Sequence, residues 1–318
     1  MLGHYLHTAY AASVFLAPAR RPVTLAALQP DVAPEHIAGT EQALAWFETE
    51  GQVLMGAVAG ALEAGFDTHA WQITWALSRF LDHKGRWHDW AAAEQIALAA
   101  AQRLGDRAAQ AGIHQRCGYV SGRLGNYEDA HAHMRRALGI HAERGDRAGQ
   151  GYVHNAFAVV LYHQGRDGDA LDQARQALEA YTGTGDEAGR ALALNSVGWM
   201  YTRLGDHRQA LRYCGEAAGV LHGVGNREGE ASTLDSLGYA HQQLGNHAES
   251  VAWFQRAVDL YGEIGHRWGY AETLGHLGDA HQAAGDLRKA QAAWEEALTA
   301  LDDLHHPDAD QIRAKLAA

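Results

Sequence analysis

Cysteine is almost absent: Cys117 and Cys214 are the two in 318 residues. Both fall where the repeat described below holds apolar side chains. They are expected to be small core residues with free thiols, as in a reducing compartment, which excludes a disulfide scaffold. Proline is nearly as scarce, and four of the five stand together at Pro18, Pro22, Pro30 and Pro34. That cluster reads as an extended arm or linker. Positive charge is short: 26 Lys and Arg against 38 Asp and Glu leave a net charge of −12. Nucleic-acid binding wants a basic stripe, so that class is set aside. The 21 histidines would offset much of the negative charge below about pH 6, a change of surface charge and not a switch. No apolar run approaches the roughly 20 residues of a membrane span. Residues 1–17 carry His4, Tyr5, His7 and Tyr10 and no basic start, so no signal peptide is read. A soluble, cytoplasmic chain without membrane contact is expected.

Glycine, by contrast, recurs at fixed intervals: 65, 85, 105 and so on to 285, at every twentieth position. From Gly105 onward the next residue is Asp or Asn except at Arg166 and His266. Glycine accepts the left-handed conformation that ends a helix, and Asp or Asn caps the amides that begin the next. Each block is therefore a helix of about seventeen residues, roughly 26 Å long, and a tight turn, which forces antiparallel neighbours. Two blocks make one unit. Leu194, Val197, Gly198 and Tyr201 on one helix, with Ala210, Cys214 and Ala217 on the next, recur forty residues on as Leu234, Leu237, Gly238 and His241 with Ser250, Phe254 and Ala257. They recur again as Leu274, Leu277, Gly278 and His281 with Ala290, Trp294 and Ala297. Such a period means stacked units, none able to bury its apolar face alone.

The expected organisation is an N-terminal helix and Pro-rich arm (1–40) and a leading helical segment (41–66) capped by Thr40. Six helix pairs (67–304) and a C-terminal capping helix (305–318) follow. The opening helix, 2–16, reads as the tail of a larger preceding module. The first pair, with Trp71, Trp75, Trp87 and Trp90, is expected to close the leading end. A forty-residue period alone fits HEAT or armadillo arrays. Small residues at Gly198 and Ala217 beside bulky Tyr201 instead favour tetratricopeptide packing with lengthened helices. The fold class is thus all-α: a right-handed superhelical solenoid of about six long-helix tetratricopeptide repeats.

In such an array the first helix of each pair lines the concave surface, and side chains outside the core pattern face the groove. One row is Gln115, Asn155, Asn195, Asp235 and Gly275. One turn later run Tyr119, Val159, Trp199, Tyr239 and Asp279, then Arg123, His163, Arg203 and Gln243. The candidate ligand or partner groove is Tyr119, Arg123, Asn155, His163, Asn195, Trp199, Arg203, Asp235, Tyr239 and Gln243. Amides, a carboxylate, an aromatic wall and cationic ends suit a peptide, a partner loop or a polar small molecule. The Asn row is also readable as a structural ladder between repeats, and the aromatic and Arg positions as contact surface.

No metal, cofactor or catalytic residue is assigned. His131 and His133 point to different faces, and His305-His306 with Asp302 and Asp303 lacks a third ligand at fixed spacing. Cys117 has His114 near it but occupies a core position. No H-E-x-x-H, G-x-S-x-G or phosphate-loop pattern occurs.

The segments HYLHTAYAAS, WFETEGQVLMGAV, WQITWALSRFLDHKGRWHDW, ALNSVGWMYTRLGD, TLDSLGYAHQQLG and HPDADQIRAKL together resemble the C-terminal tetratricopeptide region of AfsR-like Streptomyces antibiotic regulatory proteins (SARP type). The resemblance runs in order from about residue 2 to the end. It implies a sensor or partner-binding arm of a transcriptional regulator, with the regulator's switch domain as partner. It brings no catalytic residues and no direct contact with nucleic acid. Two rival expectations are a self-associating, homo-oligomeric scaffold and a small-molecule-processing enzyme built on a solenoid.

Overall fold

From Gly105 to Asp286 a glycine that ends one helix and a polar residue that starts the next set the boundaries. The computed structural model describes residues 1–18, 20–304, 306 and 308–317, and among them every regular element is an α-helix. At one turn Gly205 sits at φ 87°. Its amide donates to the Thr202 carbonyl and the Asp206 amide to Tyr201, which satisfies two orphan carbonyls. The Asp206 carboxylate then accepts from the Gln209 amide at 3.1 Å and caps the next helix. Asp106, Asp146, Asn226 and Asp286 cap in the same way. So does His266, through its ring Nδ1. Asn126 and Asn246 do not: neither makes a side-chain cap bond. Thr40 is the first residue of its helix, not the cap before it.

The chain forms two compact units, one of Met1–Asp82 with Arg86–Asp186, the other of His83–Gly85 with Glu187–Ala318. The first holds α1 (Leu2–Leu16), α2 (Thr40–Glu63), most of α3 (Asp67–His83), α4 (Trp87–Arg103), α5 (Arg107–Arg123), α6 (Tyr127–Glu143), α7 (Arg147–His163) and α8 (Asp167–Tyr181). Its core joins Leu6, Phe47, Leu54, Val58, Ile73, Leu77 and Phe80, with Phe47 stacked on Phe80 at 5.2 Å. The Pro-rich segment is no loose linker. The Gln72 side-chain amide accepts from Ala26 N and donates to Thr24 O, both at 2.8 Å, replacing the partner strand an extended backbone lacks. Arg20 lies 3.9 Å over the Trp75 ring and donates to the Trp75 carbonyl. Trp71, Trp75 and Trp90 are buried in one core with α1 and α2. The first repeated pair is therefore covered and does not close the array's leading end. Helix α8 stops at Tyr181, short of its siblings, because Gly183 and Gly185 both take positive φ.

The second unit holds α9 (Glu187–Arg203), α10 (His207–Gly223), α11 (Arg227–Gln243), α12 (His247–Glu263), α13 (Arg267–Ala283), α14 (Leu287–Asp303) and α15 (Ala309–Leu316). The repeated glycine permits the close helix contact within each pair. A Cβ on Gly198 would stand 2.4 Å from Cys214 Sγ; on Gly238, 2.7 Å from Phe254; on Gly278, 2.3 Å from Trp294. The partner side chain grows from Cys to Phe to Trp, so these three positions are one packing device with different fillings. Exposed pairs such as Arg267–Asp303 at 2.8 Å tie the start of a pair to its end, each contributing about 0–1 kcal/mol. Helix α15 lies on α13: Lys315 Nζ reaches both Asp279 carboxylate oxygens at 2.7 Å, and Ile312 sits over Gly275.

Candidate functional site

Side chains outside the packing pattern collect on the first helices of the pairs. In the second unit these are α9, α11 and α13. Trp199 and Tyr239 are half-buried and meet edge to face at 5.2 Å, a preferred aromatic geometry. Tyr239 in turn touches the His276 ring, centroids 5.9 Å apart. His276 Nδ1 bonds Asp235 Oδ1 at 2.9 Å. Asn195 is buried; its amide donates to Ser232 at 3.5 Å and its oxygen accepts from the Cys214 thiol. Arg203 and Gln243 are exposed at the far end of their helices. Asn195 is thus occupied within the fold, while Trp199, Asp235 and Tyr239 come together with His276, which the sequence reading did not single out.

His276 carries the sharpest electrostatics of this face. Burial pushes its ring down, but Asp235, by charge and hydrogen bond, and then Glu272 and Asp279 overcome this and raise it to about 9. A base raised above its unfolded value stabilises the fold fully below the ordinary imidazole range, near pH 6.5, and loses that contribution as pH rises through about 9. Urea melts are accordingly expected to show stability falling between these limits. Asp235→Asn should flatten this profile and bring the His276 titration, followed by NMR, back toward neutrality. A His276 titration left near 9 in that variant would remove Asp235 as the cause.

In the first unit the predicted residues lie on α5 and α7. Tyr119 packs against Trp90 with centroids 5.8 Å apart. Arg123 stacks over Trp87 at 4.3 Å and reaches His163 Nε2 at 2.9 Å. Asn155 is half-buried, and its Oδ1 is buried without a hydrogen-bond partner. A buried ion pair nearby was not foreseen. Arg116 grips Glu94 through Nε at 2.5 Å and Nη2 at 3.0 Å, and Trp90 Nε1 donates to the same carboxylate at 2.9 Å. Glu94 is 0% exposed.

Both thiols are buried, as expected of core residues. Burial, then Glu94, pushes the Cys117 thiol far up, and burial alone pushes Cys214 up to about 12, so neither is a nucleophile at neutral pH. His131 packs on Phe157 while His133 bonds His114 at 2.8 Å, so the two keep separate partners. Burial, then the charge of His133, holds His114 down to about 4, which keeps it neutral. His305 lies outside the described residues. One grouping that no spacing pattern announces is His83, Glu228 and His266, drawn together within the second unit. Among the described residues no helix is long and apolar enough to cross a membrane.

Comparison with known proteins fits this geometry. Residues 150–219 and 229–303 match the family model described as tetratricopeptide repeat. No curated protein sequence matches the chain. Among solved structures, a Rap protein complexed with competence and sporulation factor aligns with TM-score 0.60 and 15% identity, over 84% of this chain and 80% of that one. A Signal Transduction ATPase with Numerous Domains from Pyrococcus horikoshii, which has a tetratricopeptide repeat sensor, aligns with TM-score 0.55 and 16% identity. That match takes in 87% of this chain but 46% of the other. BtubC from P. vanneervenii aligns with TM-score 0.54 and 19% identity, over 73% and 92%. At these identities the likeness speaks to fold. In fold the described residues are all-helical, as in these tetratricopeptide-repeat neighbours, and residues 150–219 and 229–303 carry the match to the repeat family itself.

Proposed function

We propose that this chain is a non-catalytic recognition module whose second unit receives a segment of a partner polypeptide on the α9–α11–α13 face. The observation that carries the reading is the half-buried Trp199–Tyr239 pair, set beside the Asp235–His276 ion pair. Half-buried aromatic rings next to fixed charge are what contact hot spots are made of. Tetratricopeptide neighbours that carry a sensor or are complexed with a factor are in keeping with it, as is the AfsR-like resemblance. In that context the array is the sensing arm of a larger cytoplasmic regulator, and the partner is its switch domain. Tyr119, Arg123, Asn155 and His163 offer a second contact row on the first unit. A ligand controls such a switch only through unequal affinity for its two states.

Selection of a displayed random-peptide library against the full chain tests the face. Peptides recovered on the wild type are expected to lose at least about tenfold in affinity toward Trp199→Ala/Tyr239→Ala, roughly 1.4 kcal/mol, with helix content unchanged by circular dichroism. Equal affinity for both proteins would remove this face from the proposal.

A further inference from the structure

His83 is fully buried, and neither of its ring nitrogens has a hydrogen-bond partner. Orphaned polar atoms at 0% exposure are rare in folded chains and call for a reason. The neighbours suggest one. Glu228 Oε2 stands 3.7 Å from His83 Nε2, and the His266 ring lies with its centroid 4.4 Å from that of His83. One donor atom from each of the three falls within 4.8 Å of the others. All three belong to the second unit, His83 through its segment His83–Gly85. We propose that His83, Glu228 and His266 bind a divalent transition-metal ion, of which Zn2+ fits best.

The donor set selects the class of ion. Two imidazoles and a carboxylate suit Zn2+, Fe2+, Co2+ or Ni2+; Ca2+ and Mg2+ want oxygen alone, and Cu+ wants sulfur. Bonds of about 2.1 Å in a tetrahedral site set donors roughly 3.4 Å apart. The 3.7 Å pair is already near that spacing, and side-chain rotation closes the rest. An ion has a way in, because the Glu228 side chain is 30% exposed while that of His83 is sealed. The fourth position is left to solvent on that side. Binding has one local cost. His266 Nδ1 accepts the Gly269 amide at 3.0 Å. Ligation through Nδ1 displaces that bond, and ligation through Nε2 requires a proton on Nδ1, which displaces it equally. An imidazole therefore stands where Asp or Asn stands at most equivalent turns, such as Asp206 and Asn226, and it alone of these side chains offers the ion a nitrogen.

The test uses the full chain stripped with chelator, titrated with Zn2+ by calorimetry and with Co2+ by visible absorption. One ion per chain is expected, with the spectrum of four-coordinate cobalt and faster hydrogen exchange at the Gly269 amide on loading. Glu228→Gln, nearly isosteric and partly exposed, keeps the fold readable by circular dichroism. It and His83→Ala are each expected to weaken binding by at least about a hundredfold, whereas His114→Ala/His133→Ala leaves it unchanged. No saturable binding to the wild type, or unchanged affinity in both site variants, overturns the proposal and leaves His83 and Glu228 as an ordinary ion pair. The peptide selection on Trp199→Ala/Tyr239→Ala is read without metal, so either idea can fail alone.

Discussion

Arg116→Met is expected to destabilise the first unit by roughly 3–5 kcal/mol. The figure follows from what is left behind, not from the lost bonds. Glu94 has no exposed surface, and with Arg116 gone its charge keeps, among the described residues, the Trp90 indole alone as donor. Arg20, held over Trp75 and bonded to Ser78, is already engaged. Adding Glu94→Gln to the variant should recover most of the loss, because it removes the unbalanced charge yet keeps an acceptor for the Trp90 N–H. Hydrogen exchange along α4 and α5 is the measurement of choice, since repeat arrays open locally and a single midpoint averages over units. A double variant no better than Arg116→Met would show that packing of the guanidinium stem, not charge balance, sets the cost.

Gly198→Val is expected to cost the second unit about 3 kcal/mol or more. A Cβ there meets Cys214 Sγ at 2.4 Å, the Cys214 amide nitrogen at 3.1 Å and the Ala210 carbonyl oxygen at 3.2 Å. The gain in helix propensity over glycine is smaller, well under about 1 kcal/mol for a β-branched residue. Two of the three obstacles are backbone, so α9 and α10 must part. Cys214→Ala in the same chain removes the thiol and should restore only part of the stability. Complete restoration in urea melts would assign the whole clash to the side chain.

The helix boundaries were legible because glycine and its polar successor act locally, and a twentieth-residue rhythm needs no tertiary information to be read. Departures arise where distant groups compete. Asn246 places its amide 3.3 Å from His241 instead of capping, and the Pro-rich stretch is fixed by Gln72, far away in sequence. The candidate face was half legible. Trp199 and Tyr239 share a column and do touch, while Asn195, in the row before them, is consumed by Ser232 and Cys214. Arg116 and His276 could have been found. They share one repeat column with Ala156, Ser196 and Ser236, and a charge where siblings are small demands a buried counter-charge. Glu94 and Asp235 supply it. His83, Glu228 and His266 carried no spacing signal, because no single element holds more than one of them.

Helix α15 has a consequence for handling the protein. Ile312 fills the hollow over Gly275, and Lys315 neutralises Asp279 on the last full pair. Shaving off those few residues would uncover a sticky terminal face, built by the same rules that let one pair dock on another. Truncated copies would then offer that face to the repeats of their neighbours, and the penalty would be read as filaments or precipitate in the tube and not as a lower melting point.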